Sequence, residues 1–266
     1  NHIPLLGSAG VDIKQYPYYD MDARQVDTEK MMETLRQVPV GDLVLLHGCC
    51  HNPTGADLTN EQWDSIADLA LERGFIPFID TAYQGLGNGL DQDAYGMRMM
   101  AERLPEVIIA SSCSKNFGLY RERTGSITFI AETSEQADIV VSQAMSTARS
   151  IYSMPPAHGA LLVSMVLGDP QLRSQWEAEL EEVRLRIKSM RNLLCDSLEN
   201  NAAGMDFSHI KRQNGMFSFL GITTPQLERL RTEFGIYIVS STRINLAGVN
   251  SNNIEYLTQS LLTVLE

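Results

Sequence analysis

Residues 106–118 read Glu-Val-Ile-Ile-Ala-Ser-Ser-Cys-Ser-Lys-Asn-Phe-Gly, an apolar run followed by a polar loop. The apolar run, 106–110, predicts a short buried strand, so Lys115 lies just beyond the end of that strand. In open α/β sheets, ligands bind at the carboxyl ends of the strands. A lysine in a cleft there can lose its proton and act as a nucleophilic amine, but this run alone is equally compatible with an exposed lysine on a surface loop.

The sequence on either side of this stretch alternates between apolar runs and helical patterns. Further strands are predicted at 42–46, 75–79 and 126–130, and helices at 59–73 and near 95–103. Thr59 and Gln62 have the spacing of a capping box, and Gly74 is a typical helix stop. This β-α-β-α-β order predicts the α/β class, with a mostly parallel sheet covered by helices.

The pattern changes in the second half of the chain. Pro155-Pro156 interrupts the helical pattern, and a long charged helix is predicted over 172–200. Beyond it come an apolar segment, a helix, a strand and a terminal helix, at 215–220, 225–234, 236–239 and from 252. We therefore predict a large domain over 1–183 and a smaller α+β domain over 184–266.

Composition excludes several classes of protein. The formal net charge of −12 argues against nucleic-acid and acidic-membrane partners, which need basic surface. No apolar run is long enough for a transmembrane helix, and the first residues do not resemble a signal peptide. The four cysteines include no CxxC pair, which favours a reducing compartment, the cytoplasm.

Polar side chains follow the predicted strands at the ends where ligands bind. Asp80 comes directly after an apolar run, so its carboxylate is either a helix cap or a buried charge that needs a cationic partner. An arginine close to Ser112 and Ser114 would make a bidentate phosphate site, and both Arg121 and Arg123 follow in the same loop.

Other candidate residues are compatible with a site and equally with ordinary structure. The tetrapeptide Asn52-Pro53-Thr54-Gly55 is typical of a turn, but it lies beyond the end of a strand, where cofactors bind. Tyr83 lies in a loop three residues beyond Asp80. Arg149 and Arg243 are isolated arginines, and isolated arginines are usually solvated.

Two patterns imitate known sites. One strand end carries four residues of metal-binding type: His47, Cys49, Cys50 and His51. A tetrahedral metal site needs ligands from more than one element, so we predict no metal there. The glycines of 85–89 (GLGNG) imitate a dinucleotide loop, but they lack the strand-glycine-helix context that such loops need.

Taken together, these segments resemble the pyridoxal-phosphate-dependent aminotransferases of fold type I, and most closely the aspartate and aromatic amino-acid aminotransferases. The resemblance rests on four motifs: HNPTG at 51–55, Asp80-x-x-Tyr83, SxSKNFGLYxER at 112–123 and STRINLAG at 241–248. It implies a pyridoxal-phosphate-binding large domain, incomplete at its amino end, and a small α+β domain. It also implies ping-pong transamination between an amino acid and a 2-oxo acid, by a homodimer.

The resemblance implies a role at the cofactor for several residues. Lys115 would hold the cofactor as a Schiff base and move a proton during the reaction. Asp80 would pair with the protonated pyridine nitrogen, supported from behind by His47. Tyr83 and Asn52 would hydrogen-bond the 3′-oxygen of the ring.

The remaining roles concern anionic groups. Ser112, Ser114 and Arg123 would hold the 5′-phosphate of the cofactor. Arg243 would clamp the α-carboxylate of the substrate in a bidentate fork, next to Asn52. Arg149 would reach into the partner subunit and bind a side-chain carboxylate.

The amino-terminal third of the family pattern has no counterpart here, so we expect a fragment whose activity alone is in doubt. The alternative function is a non-catalytic, cofactor-sensing aminotransferase-like domain of a regulator, but the two arginines for substrate carboxylates, Arg149 and Arg243, favour an enzyme. Preference for aspartate, glutamate or aromatic substrates depends on pocket contacts that the sequence does not display.

Overall fold

A computed structural model describes residues 1–199 and 205–265 of the chain. It begins with four short elements that the sequence analysis did not predict: α1 (His2–Ser8), β1 (Tyr19–Asp20), β2 (Gln25–Val26) and α2 (Thr28–Leu35). The two strands pair antiparallel as a short ribbon. Asp27 caps the start of α2, because its carboxylate accepts a hydrogen bond from the backbone N–H of Lys30 at 3.2 Å.

A four-stranded sheet follows and confirms the predicted α/β class. Its strands lie side by side in chain order: β3 (Leu43–His47), β4 (Ile76–Thr81), β5 (Val107–Ser112) and β6 (Gly125–Ile130). The first three strands are parallel, and β6 is antiparallel to β5. The sheet is therefore mostly parallel, and the loops that follow β4 and β5 leave it at the same edge.

Helices α3 (Asn60–Arg73) and α4 (Tyr95–Arg103) pack on this sheet. The predicted capping box of Thr59 and Gln62 forms in both directions, and Gly74 ends α3 in the left-handed conformation, with φ 72°. The first apolar core lies between helices and sheet: Met31, Leu35, Val44, Leu46, Trp63, Ile66, Ile79, Met100, Val107 and Ile109. Full burial of a side chain of this size contributes about 1.5–3 kcal/mol.

Gly96, in the first turn of α4, lies directly against the indole ring of Trp63. A Cβ at position 96 would lie 2.4 Å from two atoms of that ring. Because the ring is itself buried, we expect Gly96→Ala to lower the free energy of unfolding by about 1–3 kcal/mol, although alanine is the better helix former. Urea unfolding measures the change, with Gly7→Ala as the control, since a Cβ there meets nothing within 4 Å. An unchanged free energy for Gly96→Ala would contradict the close packing.

Three helices follow the sheet: α5 (Ser134–Tyr152), α6 (His158–Gly168) and α7 (Pro170–Glu199). Pro155-Pro156 separates α5 from α6, as predicted. Helix α7 is the predicted long helix, and the last residue of that prediction, Asn200, lies outside the described residues. The predicted boundary at residue 183 falls inside α7, so the division into two domains stays a prediction. No helix in 1–199 or 205–265 combines the length and apolarity needed to cross a membrane.

Residues 205–265 form a second, α+β arrangement around the end of α7. Its elements are α8 (His209–Arg212), β7 (Phe217–Phe219), α9 (Thr224–Phe234), β8 (Arg243–Asn245) and α10 (Ile254–Leu265). Strands β7 and β8 pair antiparallel, with Phe217 opposite Asn245. A separate apolar core joins these elements to α7: Leu194, Leu198, Phe207, Leu220, Leu230, Ile244, Leu246, Leu261 and Val264.

The predicted strand at 236–239 is wrong. Ile236 and Ile238 pack against the second core, whereas Tyr237 and Val239 are 82% and 50% exposed. The alternation of buried and exposed side chains is therefore real, but this segment has no regular secondary structure and no partner strand among the described residues. The partner of β7 is β8, further along the chain, because pairing depends on contacts between distant residues and not on local periodicity alone.

His209 lies buried between the side chain of Arg24 and the backbone of β7. Its Nδ1 lies 3.2 Å from Nη1 of Arg24, and its Nε2 lies 2.8 Å from the carbonyl oxygen of Phe219. An arginine can only donate, so Nδ1 accepts, and Nε2 carries the proton that it donates to the carbonyl. Burial in this neutral form lowers the pKa of His209 to about 4.

The lowered pKa of His209 makes stability depend on pH. The unfolded chain binds this proton near pH ~6.5, while the folded protein resists it down to about pH 4. The free energy of unfolding is therefore complete above pH ~6.5 and falls on acidification, by up to about 1.4 kcal/mol per pH unit for this one proton. The free energy of unfolding is measured with urea at several pH values between these two pKa values. It should fall less steeply on acidification for His209→Gln than for His158→Gln, whose ring is exposed. Equal slopes would contradict this assignment.

Candidate active site

The end of β4, which carries Asp80, and the loops that follow β4 and β5, which carry Tyr83 and Lys115, bring these three residues together. The Nζ atom of Lys115 lies 4.6 Å from the centre of the Tyr83 ring. Burial lowers the pKa of Lys115, the charge of Asp80 partly opposes this shift, and the charge of Arg123 adds to it. The amine of Lys115 is therefore easier to deprotonate than that of an ordinary lysine, as a nucleophile or a base requires.

Asp80 has a direct partner that the sequence analysis missed. Its Oδ2 lies 2.7 Å from Nε2 of His2, and both side chains are about one third exposed. His2 lies 78 positions away in the sequence, on a helix that was not predicted, so no local pattern pointed to the pair. The ring of His2 in turn lies edge-on to that of His47, with centres 5.4 Å apart. His47 lies opposite Asp80 on the neighbouring strand β3 and contacts the ring of His2, so its supporting role behind Asp80 stays a prediction.

The ring of His47 is the first of three stacked aromatic rings. It stacks on that of His51 at 4.4 Å between centres, and His51 stacks on Tyr18 at 4.0 Å. The backbone N–H of Asn52 lies 3.3 Å from Nδ1 of His47, so this nitrogen accepts a hydrogen bond. Burial lowers the pKa of His47 to about 4, with the charge of Asp80 opposing the shift. His47 is therefore neutral at physiological pH.

Asn52 connects the predicted cofactor and substrate residues. Its Nδ2 lies 3.5 Å from the hydroxyl oxygen of Tyr83, and its Oδ1 accepts a hydrogen bond from Nη1 of Arg243 at 3.1 Å. The Arg243 guanidinium lies 4.5 Å from the centre of the Phe217 ring. That ring meets Tyr83 edge-on, with centres 6.3 Å apart. Phe217 is a second residue that the sequence analysis missed, because nothing local distinguishes it from a core phenylalanine.

The predicted phosphate ligands lie at the end of β5, which carries Ser112, and in the closed loop that follows it. The backbone N–H of Cys113 donates to the carbonyl of Thr124 at 3.0 Å, which brings the two ends of the loop together. Ser112 and Arg123 are the chain neighbours of these two residues, so they are held at the same end of the loop. The hydroxyl of Ser112 accepts from the backbone N–H of Ser114 at 3.1 Å. Nη1 of Arg123 donates to the carbonyl of Tyr120 at 2.9 Å.

Arg149 lies apart from this cluster. It occupies the last turn of α5 and is exposed. Helix α5 also exposes large apolar side chains: Ile139, Val140, Val141, Met145, Ile151 and Tyr152. Within one chain the structure does not join Arg149 to the other predicted residues, and its action in a partner subunit stays a prediction.

The glycine loop 85–89 holds a carboxylate of the protein itself. Oδ2 of Asp93 accepts from the backbone N–H groups of Gly85 and Gly87 at 2.8 and 2.9 Å, and Oδ1 accepts from Asn88 at 2.7 Å. The loop donors that would otherwise meet a phosphate are therefore occupied.

The cysteines at the end of β3 lie near Asp93. Ligand atoms of Cys49, Cys50 and Asp93 lie within 4.8 Å of one another, and all three residues are buried. The two histidines of the imitated metal site are not in this group, because they belong to the ring stack described above. Three hydrogen bonds from backbone N–H groups account for the burial of the Asp93 carboxylate. All four cysteines of the chain are free thiols.

Comparison with known proteins gives consistent matches along the chain. The family model described as Aminotransferase class I and II matches residues 1–261. The aspartate aminotransferase of Haemophilus influenzae is 51% identical over 265 residues, which are 100% of this chain and 67% of the relative. An aromatic-amino-acid aminotransferase of Paracoccus denitrificans is 45% identical over 264 residues, 99% of this chain and 67% of the relative.

Solved structures agree with these matches. The aromatic-amino-acid aminotransferase from Burkholderia pseudomallei, covalently bound to pyridoxal phosphate, has a TM-score of 0.98 and 42% identity. A mitochondrial aspartate aminotransferase from Trypanosoma brucei has a TM-score of 0.97 and 39% identity. Both alignments cover 100% of this chain, and 67% and 70% of the respective solved chains. The chain thus spans about two thirds of the length of these relatives.

Proposed function

Because this chain belongs to the class I and II aminotransferase family, we propose that it serves pyridoxal-phosphate-dependent transamination between an amino acid and a 2-oxo acid. The observation that carries the proposal is the convergence of Lys115, Asp80, Tyr83, Asn52 and Arg243 at one end of the sheet. These residues come from separate loops and strands, and a merely structural cluster has no need of an amine with a lowered pKa beside a carboxylate.

The side chains of the site match the chemistry of pyridoxal phosphate group by group. Lys115 offers an amine for the aldehyde, and Asp80 offers a carboxylate for the protonated ring nitrogen. The hydroxyl of Tyr83 and the amide of Asn52 offer donors for the ring oxygen. Ser112, Ser114 and Arg123, at the end of β5 and in the loop that follows it, offer hydroxyl groups and a cation for the phosphate. We propose these residues as the cofactor site.

Pyridoxal phosphate, when bound, supplies an electron sink for negative charge on the substrate's α-carbon. The side chains of this site supply the proton transfers and the orientation. Lys115, whose pKa is lowered by burial, accepts and returns a proton at Nζ. His2 holds the Asp80 carboxylate at 2.7 Å and keeps it in one orientation.

Arg243 is the proposed ligand of the substrate α-carboxylate. Its guanidinium rests on the Phe217 ring and donates one N–H to Asn52. Further N–H groups of the same planar fork are available to grip a carboxylate with two parallel bonds. Asn52 thereby links Arg243 to Tyr83 through hydrogen bonds. This link fixes the position of the substrate carboxylate relative to that of the cofactor.

We also propose a homodimer in which Arg149 of one subunit serves the site of the other. The exposed apolar face of α5, which carries Arg149 in its last turn, supports an interface at this helix. The four free thiols support a reducing compartment, the cytoplasm.

The substrate class is tested by an assay of the protein at the full length of its relatives against aspartate, glutamate, tyrosine and phenylalanine. We expect Arg149→Leu to lower kcat/KM for aspartate and glutamate roughly tenfold to a hundredfold, and to leave phenylalanine nearly unchanged, since only the first two carry a side-chain carboxylate. Arg231→Leu, at an exposed arginine paired with Glu228, is the control. Cofactor binding without turnover of any donor would refute the enzyme and favour a cofactor-sensing domain.

A further inference from the structure

Arg191, in α7, is the largest of the fully buried side chains in the described residues, with 2% of its surface exposed. Its guanidinium donates hydrogen bonds to four backbone carbonyl oxygens of the segment 210–217. The acceptors are Gly215 at 2.9 Å, Ile210 at 2.8 Å, Asn214 at 2.8 Å and Phe217. All four are neutral carbonyls, and within 1–199 and 205–265 this buried cation forms no hydrogen bond to a carboxylate.

Such an arrangement is costly. Burial lowers the pKa of Arg191 to about 10, so the side chain stays charged at neutral pH and bears the cost of desolvation. An apolar side chain of similar volume would fill the same space without that cost. What an apolar side chain cannot do is bind four particular carbonyls at once. The arginine therefore fixes the path of the 210–217 backbone.

The opposite side of this segment is held by the turn that carries Asn52. The backbone N–H of Asn214 donates to the carbonyl of Gly55 at 2.8 Å, and its side-chain amide donates to Asp57 at 3.2 Å. A Cβ on Gly55 would lie 2.7 Å from the carbonyl oxygen of Phe217. The segment is thus held by hydrogen bonds from Arg191 on one side and by the turn on the other, and the turn approaches it closely at Gly55.

Phe217 is the last residue of this segment and the first of β7. Its carbonyl binds Arg191, while its ring supports the guanidinium of Arg243 and meets the ring of Tyr83. A shift of the Phe217 backbone would therefore move the surface on which Arg243 rests. Arg243 also donates a hydrogen bond to Asn52. A small tilt of the Arg243 guanidinium would therefore break either that hydrogen bond or the paired hydrogen bonds to a substrate carboxylate.

We propose that Arg191 is a positioning residue for the substrate carboxylate, acting through the Phe217 backbone and ring on the orientation of Arg243. The inference rests on the proposed function of Arg243. It assigns to Arg191, on α7, a part in substrate binding that acts through the segment 210–217.

The test is a double-mutant cycle in the full-length holoenzyme. Arg191→Lys keeps the charge but loses the planar fork, and we expect it to raise KM for the amino-acid substrate roughly tenfold to a hundredfold, with the affinity for pyridoxal phosphate unchanged. In an Arg243→Lys background, Arg191→Lys should raise KM much less, because the bidentate binding of the carboxylate that Arg191 supports is already lost. Full additivity of the two changes would overturn the proposal.

A control separates positioning from general destabilisation. Leu198 lies on the same helix, in the second core, and Leu198→Ala removes buried volume but no hydrogen bond to the 210–217 backbone. Leu198→Ala should lower the melting temperature and leave KM unchanged. If it raises KM as much as Arg191→Lys does, the role of Arg191 is only structural. If Arg191→Lys does not fold, Arg191→Gln, which is neutral, takes its place in the cycle. Failure of the wild type to transaminate would refute the proposed function, whereas turnover with an additive cycle would refute only the role of Arg191.

Discussion

Lys115→Ala should lower the rate of transamination by more than about 10³-fold in the protein at the full length of its relatives. Lys115 is the amine placed beside Asp80 and Tyr83, and burial already lowers its pKa. Alanine removes both the group that would bond covalently to the cofactor and the base that would move the proton. Turnover with an amino acid and a 2-oxo acid measures the loss.

A second measurement is independent of turnover. Borohydride reduction followed by peptide mass mapping should find the cofactor fixed to Lys115 in the wild type and nowhere in the variant. Lys30→Ala is the matched control, since Lys30 is one of only five lysines, is exposed and pairs with Asp27. We expect its rate and its reduced adduct to equal those of the wild type. Retained transamination in Lys115→Ala would remove the central residue of the proposal.

Asp80→Asn should lower turnover by roughly 10²–10⁴-fold. The carboxylate of Asp80 supplies the negative charge that would hold a proton on the ring nitrogen of the cofactor, and an amide of the same size supplies none. The variant keeps a hydrogen-bond acceptor for His2, so the local packing should survive. Single-turnover kinetics of the loaded enzyme isolate the chemical steps from substrate binding.

Two comparisons make the Asp80 result specific. Asp91→Asn removes an exposed carboxylate that pairs with Arg98, and its rate should stay at the wild-type value. His2→Gln should lower the rate of turnover far less than Asp80→Asn does, because it disturbs the orientation of the Asp80 carboxylate and leaves its charge in place. An Asp80→Asn enzyme within a few-fold of the wild type would contradict the pairing of this carboxylate with the cofactor.

Local patterns predicted much of this molecule correctly. The strands on both sides of Lys115, the capping box at Thr59 and the helix stop at Gly74 all depend on residues that are close in sequence. Four motifs were enough to indicate the family, because each places a chemically distinctive residue at a fixed distance from a strand end. The mostly parallel sheet followed from the order of the elements, since parallel strands need helical crossovers.

Partners that are distant in sequence were decided by tertiary structure alone. His2 was not foreseen as the partner of Asp80, nor Phe217 as the support of Arg243, nor Arg191 as the clamp of 210–217. The predicted strand at 236–239 failed for the same reason, because periodicity reports which side chains are buried and not which backbone they pair with. The residue types of the candidate site could thus be read from the order of the amino acids. Their orientation could not, because it rests on hydrogen bonds and ring contacts that exist only once the chain has folded.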